Sequence, residues 1–196
     1  MKKLLLGAAA LAAIVPAAAP AQRLSPAVVA VVDTQRIFAE CTACRAAQTQ
    51  LQTQLDTLRT RAQTLGQPLQ TEAQSIQQAV AALNGKQPDA ALQQRAQSLQ
   101  TRQTQANQEI QQGEQNIRST QAHVAQQITQ RLNPIINTVM QSRNATVVLD
   151  KGNTLAASAS IDVTNDVLAQ LNQQLPSVSV TPLPQQQPAQ AQPTGR

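Results

Sequence analysis

Residues 51–83, LQTQLDTLRTRAQTLGQPLQTEAQSIQQAVAAL, decide the fold. Leu55, Ala62, Leu69, Ile76 and Leu83 recur at every seventh position, and Leu51, Leu58, Leu65, Glu72 and Ala79 form a second row beside them. A two-row heptad turns one stripe of a helix toward a partner helix, which argues for a coiled coil with a polar interruption at Glu72. Asn84-Gly85-Lys86-Gln87-Pro88-Asp89 then gathers turn-forming residues. Beyond it, Leu92, Leu99, Ala106 and Gly113 repeat at the same spacing, beside Ala96, Ile110, Ile117 and Val124. We therefore expect an antiparallel helical hairpin over residues 44–131, with its tip at about 84–89. At about 1.5 Å per residue such an arm projects roughly 60 Å.

The seam is thin. Ala, Gly113, Gln103 and Glu72 stand where Leu or Ile would stabilise most, and the Gln-rich flanks fix no partner by charge. An arm of this kind is pliant, held by helix propensity and a narrow contact line. Gly66-Gln67-Pro68 is expected to kink or break the ascending helix, and Pro134 to mark a second joint. The competing reading is that both prolines are tolerated on exposed faces.

On either side of the arm the composition changes. Val28-Val29-Ala30-Val31-Val32-Asp33 is β-branched and long enough for one buried strand, and Ala145-Thr146-Val147-Val148-Leu149-Asp150 reads as another. Lys151-Gly152-Asn153 suggests a turn, with Thr154-Leu155-Ala156-Ala157 as a return strand. Asp162 is placed to cap a helix bearing Val163, Val167, Leu168, Leu171 and Leu175. Residues 22–43 and 132–175 thus form a small β-rich body with a C-terminal helix, and the fold class is α+β. A body that small is marginal alone, so association of several copies is expected to bury its strand edges. Residues 176–196 are rich in Pro and Gln, with little to bury, and are expected to be disordered.

Residues 1–21 read as an export signal: Lys2 and Lys3, an apolar run from Leu4 through Val15, then Ala19-Pro20-Ala21. Cleavage near Ala21 would leave Gln22 as the mature start and place the protein in the periplasm. An uncleaved anchor is the other reading, although the apolar run is shorter than the roughly 20 residues a spanning helix needs. The chain carries 15 Lys and Arg against 10 Asp and Glu, and without Lys2 and Lys3 the surplus shrinks to +3. With one Phe and no Trp or Tyr, there are no aromatic platforms for stacking bases, so nucleic acid is not an expected partner.

Little here points to catalysis. Cys41-Thr42-Ala43-Cys44 is a CxxC at a helix start, the setting that lowers a thiol pKa. Its readings are packing or a structural disulfide, a link between subunits, or redox exchange. His123 is the single histidine, too few for a nucleophile–His–acid set, and zinc would need about four ligands. The glycines are scattered and form no phosphate loop, so neither ATP nor another cofactor is expected. Arg59, Arg61, Lys86, Arg95, Arg102 and Arg118 admit weak contact with an anionic membrane surface, or a plain role as solvated flanks.

The order of these parts resembles the Skp/OmpH family of periplasmic chaperones. The residues that carry the resemblance are Val28–Val32 with Ile37-Phe38, the Gln-rich hairpin, Val147–Asp150, and Ile161-Asp162-Val163-Thr164-Asn165-Asp166-Val167-Leu168. The resemblance spans about residues 27–175. It implies a homotrimer whose small bodies join while the hairpins surround a cavity that holds unfolded outer-membrane proteins without ATP. By position it puts Val28, Val29, Val31, Val32, Phe38, Val147, Val148 and Leu149 in the oligomerisation body. The cysteines and the mildly basic arm depart from the family's pattern, so no lipopolysaccharide site is transferred, and client-binding residues stay unassigned. The alternative function is a structural coiled-coil adaptor of the cell envelope, which usually needs a larger β-domain than this chain offers.

Overall fold

A computed structural model describes residues 26–183. The export signal expected at 1–21 and the last part of the tail, 184–196, lie outside the described residues. Among those described, the chain is mostly helical around one small sheet. Strand β1 (Val29–Val32) pairs in parallel with β2 (Val147–Asp150), in the register Val29↔Val147 through Val32↔Asp150. On its other edge β1 bridges the chain at Asp162, where the Val163 N–H donates to the Val31 carbonyl at 2.9 Å. β1 is therefore central, and its inner residues are buried.

The expected return strand at 154–157 does not form. The chain makes a 3₁₀ turn at Lys151–Asn153 and another at Ala159–Ile161. Asp150 ends β2 by accepting the Gly152 N–H at 2.7 Å and the Thr34 hydroxyl. The Ala- and Ser-rich segment that follows has little to bury, and Leu155 stands fully in solvent.

Helix α1 (Thr34–Glu40) follows β1, capped by Asp33, whose Oδ1 accepts the Arg36 N–H at 2.8 Å. After a break at Cys41 the chain enters α2 (Thr42–Ala82), turns, and returns as α3 (Ala90–Ser142). Asn84 and Gly85 take left-handed backbone at the turn, and Asp89 caps α3 through the Leu92 N–H at 2.8 Å. Neither proline breaks its helix: Pro68 lies inside α2 and Pro134 inside α3. Each sits on an exposed face, while Leu65 and Leu69, or Leu132 and Ile135, keep the adjoining turns packed. Lost main-chain bonding is offset by contacts on the opposite side.

Helix α4 (Thr164–Gln174) closes the base of the hairpin. Ile37, Ile128, Ile135, Val139, Val167 and Leu171 meet there, each at most 1% exposed. Burial fades outward. Past Ala47 no α2 side chain is buried, and on α3 Leu99 is the only buried one nearer the tip than Ile117. The first part of the tail departs from expectation as well. Residues 176–183 are ordered: Val178 and Val180 pack against the core, and side chains of both long helices bond the segment's backbone. Two valines at alternate positions supply the burial that the Pro- and Gln-rich composition concealed.

Asp162 fastens the body. It accepts the Thr164 N–H at 2.9 Å and pairs with Lys151 at 2.9 Å. Hydrogen bonds from the Thr164 side chain, then Lys151, then the Thr164 main chain hold its carboxyl at about 2, below the usual 3.8. A carboxyl lowered on folding contributes stability that is whole above the unfolded value and drains away as pH falls through the folded one. Two outcomes are expected in urea titrations. Ile128→Ala should cost about 2–5 kcal/mol, as a large-to-small change at a fully buried site. Asp162→Asn should be less stable than the parent near neutral pH, with the difference closing as pH is lowered from about 4 toward about 2.

Candidate functional site

The geometry of the arm is set by paired contacts between α2 and α3. Near mid-arm the helices come close at Gly113, where an added Cβ would lie 2.5 Å from Leu58 Cδ1. Arg61 donates through Nε to Glu109 Oε1 at 2.6 Å and through a terminal nitrogen to Oε2 at 3.1 Å. Farther out, Arg95 donates to Glu72 Oε1 and to Ser75 Oγ, both at 3.0 Å. Glu72, which interrupts the heptad, is thus a cross-arm rung. The Arg95 hydrogen bond lowers the Glu72 carboxyl pKa, as the Arg61 bond does for Glu109. Exposed ion pairs of this kind add little stability. Their importance is register: they hold one antiparallel alignment where a thin apolar seam would allow several.

Between the two rungs the seam opens into a shallow cleft walled by Leu65, Leu69, Ala106 and Pro68. The basic residues are mostly engaged along the arm. Arg61 and Arg95 pair across it, Arg59 pairs with Asp56 at 3.1 Å, and Arg118 approaches Glu114 at 3.8 Å. This leaves Lys86 at the tip and Arg102 on the cleft as the expected basic positions without an ion pair among the described residues.

The eight residues expected in an oligomerisation body lie on β1, α1, β2 and the residue preceding β1, and the structure divides them. Val31 and Val32 are buried inside their own chain, and the main chain of β1 is paired along both edges. Phe38 and Val148 pack partly against the same core, and Val29 and Val147 are half-buried. Val28 and Leu149 remain outward, 49% and 43% exposed.

Cys41 and Cys44 are joined in a disulfide within the chain, buried where α1 meets α2. The Cys44 N–H donates to Cys41 Sγ at 3.0 Å, so the bridge also caps the start of α2. His123 lies on α3 with Nδ1 3.1 Å from the Thr181 carbonyl oxygen. No cluster of three or more metal-ligating side chains occurs among the described residues. Sequence reasoning missed the cross-arm ion pairs and the ordered segment at 176–183. For the ion pairs, opposite charges on the two heptad helices were the signal at hand, but Glu72 and Arg95 stand at unequal distances from the turn, so counting outward from it does not pair them.

Residues 28–171 match the family model for outer membrane proteins of the OmpH-like type. A crystal structure from Caulobacter crescentus CB15, provisionally described as an OmpH-like outer membrane chaperone, superposes with a TM-score of 0.69 at 20% identity. The match covers 86% of this chain and 98% of that one; at such identity it speaks for the fold. No curated protein sequence matches.

The arm's geometry can be tested by itself. Arg61→Glu sets two carboxylates against each other and should raise hydrogen exchange in the surrounding helix segments a few-fold. The swap Arg61→Glu/Glu109→Arg should restore protection; a swap that leaves exchange fast would mean the pair does not set the register.

Proposed function

The chain belongs to the OmpH-like family of outer membrane proteins, and from that premise we propose that it is an ATP-independent holdase chaperone of the periplasm. In this reading three copies join through their bodies, and the three hairpins enclose an unfolded outer-membrane protein until its barrel is assembled. The observation that carries it is the gradient of burial along the arm. A well-packed base anchors each hairpin, while the outer arm has an open seam with a single buried side chain beyond Ile117. Such an arm adapts to clients of different size. Many weak contacts around a client keep it from aggregating without imposing a structure, and no nucleotide is needed because release follows from those contacts being individually weak.

Val28 and Leu149 supply the outward apolar surface for joining bodies, and the export signal read at residues 1–21 supplies the address. The disulfide serves as a brace at the root of the arm. Its replacement by Cys41→Ser/Cys44→Ser should leave chaperone activity in place.

The decisive measurement uses the mature chain and an outer-membrane barrel protein diluted from urea. Light scattering should stay low at a small molar excess of trimer without nucleotide, and native mass should correspond to three copies. Val28→Glu/Leu149→Glu should dissociate the assembly and abolish suppression together. A stable single subunit, or unchecked aggregation at several-fold excess, would overturn the proposal.

A further inference from the structure

Residues 176–183 are held through their main chain by side chains of both long helices. Ser179 donates its N–H to Gln127 Oε1 at 2.9 Å, and Gln127 Nε2 donates back to the Ser179 carbonyl at 3.0 Å. One side-chain amide thus satisfies both main-chain groups of a residue, as a neighbouring strand would. His123 Nδ1 meets the Thr181 carbonyl at 3.1 Å, and the Leu183 N–H donates to Ser119 Oγ at 3.1 Å. From the other helix Gln54 Nε2 donates to the Val180 carbonyl at 3.0 Å.

The spacing explains the fit. Ser119, His123 and Gln127 stand four apart on α3 and meet residues two apart on the segment, 183, 181 and 179, in antiparallel order. Four helical residues rise about 6.0 Å, and two extended residues advance about 6.6 Å. The helix therefore presents a ladder matched to every second residue of an extended chain. All these bonds go to the main chain, so the ladder asks nothing of side-chain identity. A sequence demand comes from Val178 and Val180, partly buried against the core at alternate positions. Beside Pro182 the groove is lined by Leu58, Gly113 and Ile117.

The geometry points to a binding site for an extended polypeptide with apolar side chains at every second position, with residues 176–183 as its resident occupant. Strands of a membrane barrel have that pattern, apolar toward lipid and polar toward the lumen. This inference rests on the holdase reading for the identity of the guest: an unfolded barrel strand displaces the resident segment and takes its bonds. Because the resident is tethered, it competes at high effective concentration, and it lowers the apparent affinity for guests by the fraction of time the groove is empty. The site thus favours long clients that engage several arms over short peptides.

Binding is measured with a fluorescent peptide of alternating Val and Ser, titrated into the full mature chain and followed by anisotropy. Ser179→Pro removes the N–H given to Gln127 and should tighten binding at least about fivefold by freeing the groove. Adding Gln127→Ala to that variant should return most of the gain. A peptide of the same composition with its valines in one block should bind more weakly. In the parent chain, saturating peptide should expose residues 176–183 to hydrogen exchange, a readout that does not depend on any variant folding. Equal affinity of parent and Ser179→Pro, indifference to Gln127→Ala, or a segment that stays protected under peptide would each overturn the site. Peptide binding as expected with no suppression of barrel-protein aggregation would instead remove the holdase reading and leave the site standing.

Discussion

Everything in this molecule hangs on a parallel pairing between two strands of four residues each. Val29 and Val147 are register partners, yet 118 positions separate them. Parallel neighbours cannot be joined by a tight turn; the chain has to travel back to the starting end before it can pair again. In many proteins one short helix makes that return. Here the return path is stretched into two antiparallel helices, so the arm is the crossover connection of the sheet. That is why its root is fixed on both sides by the same core, and why its far end is free to be long, thin and soft.

The division between root and arm follows from where apolar side chains are dense. At the root, Ile128, Leu132, Ile135 and Val139 line α3 at helical spacing, where α3 packs against α2 and α4, and all are buried. Outward, the seam positions fall to Ala62, Ala79, Ala106 and Gly113, which cannot exclude water across a two-helix contact. Charge takes over part of the role: Arg61 with Glu109 and Arg95 with Glu72 set alignment where packing is too weak to do so. The arm is ordered in register and loose in cohesion, two properties that packing alone would have tied together.

Much of this was readable in the residues. The heptads, the turn cluster before Asp89, the two β-branched runs and the spacing of Val163, Val167 and Leu171 each announced their element, because local period and local packing agree there. The misreadings fall where a local preference loses to a distant contact. Pro68 and Pro134 speak for breaks, and the apolar side chains beside them answer from the opposite face. Residues 154–157 have a strand's position without side chains worth burying. The start of the tail has a disordered composition, yet Val178 and Val180 find a core that only the folded hairpin creates. Association was expected to cover the edges of β1, but the bridge at Asp162 gives that strand a second neighbour within its own chain. In each case the local residues were visible, but the distant contact that decided between them was not.

The central position of β1 carries a consequence for how the molecule is made. Both flanks of that strand are supplied by residues 147–163, near the far end of the chain. As the polypeptide emerges from its amino end, the first strand waits unpaired while more than a hundred later residues appear, whereas the hairpin can zip from its tip as soon as both helices are out. This topology favours a limb that forms early and a joint that seals late. A chain interrupted before residue 147 would be a stalk with a sticky, unsealed valine edge, and quality control would meet it as a helix pair rather than as a partly folded domain.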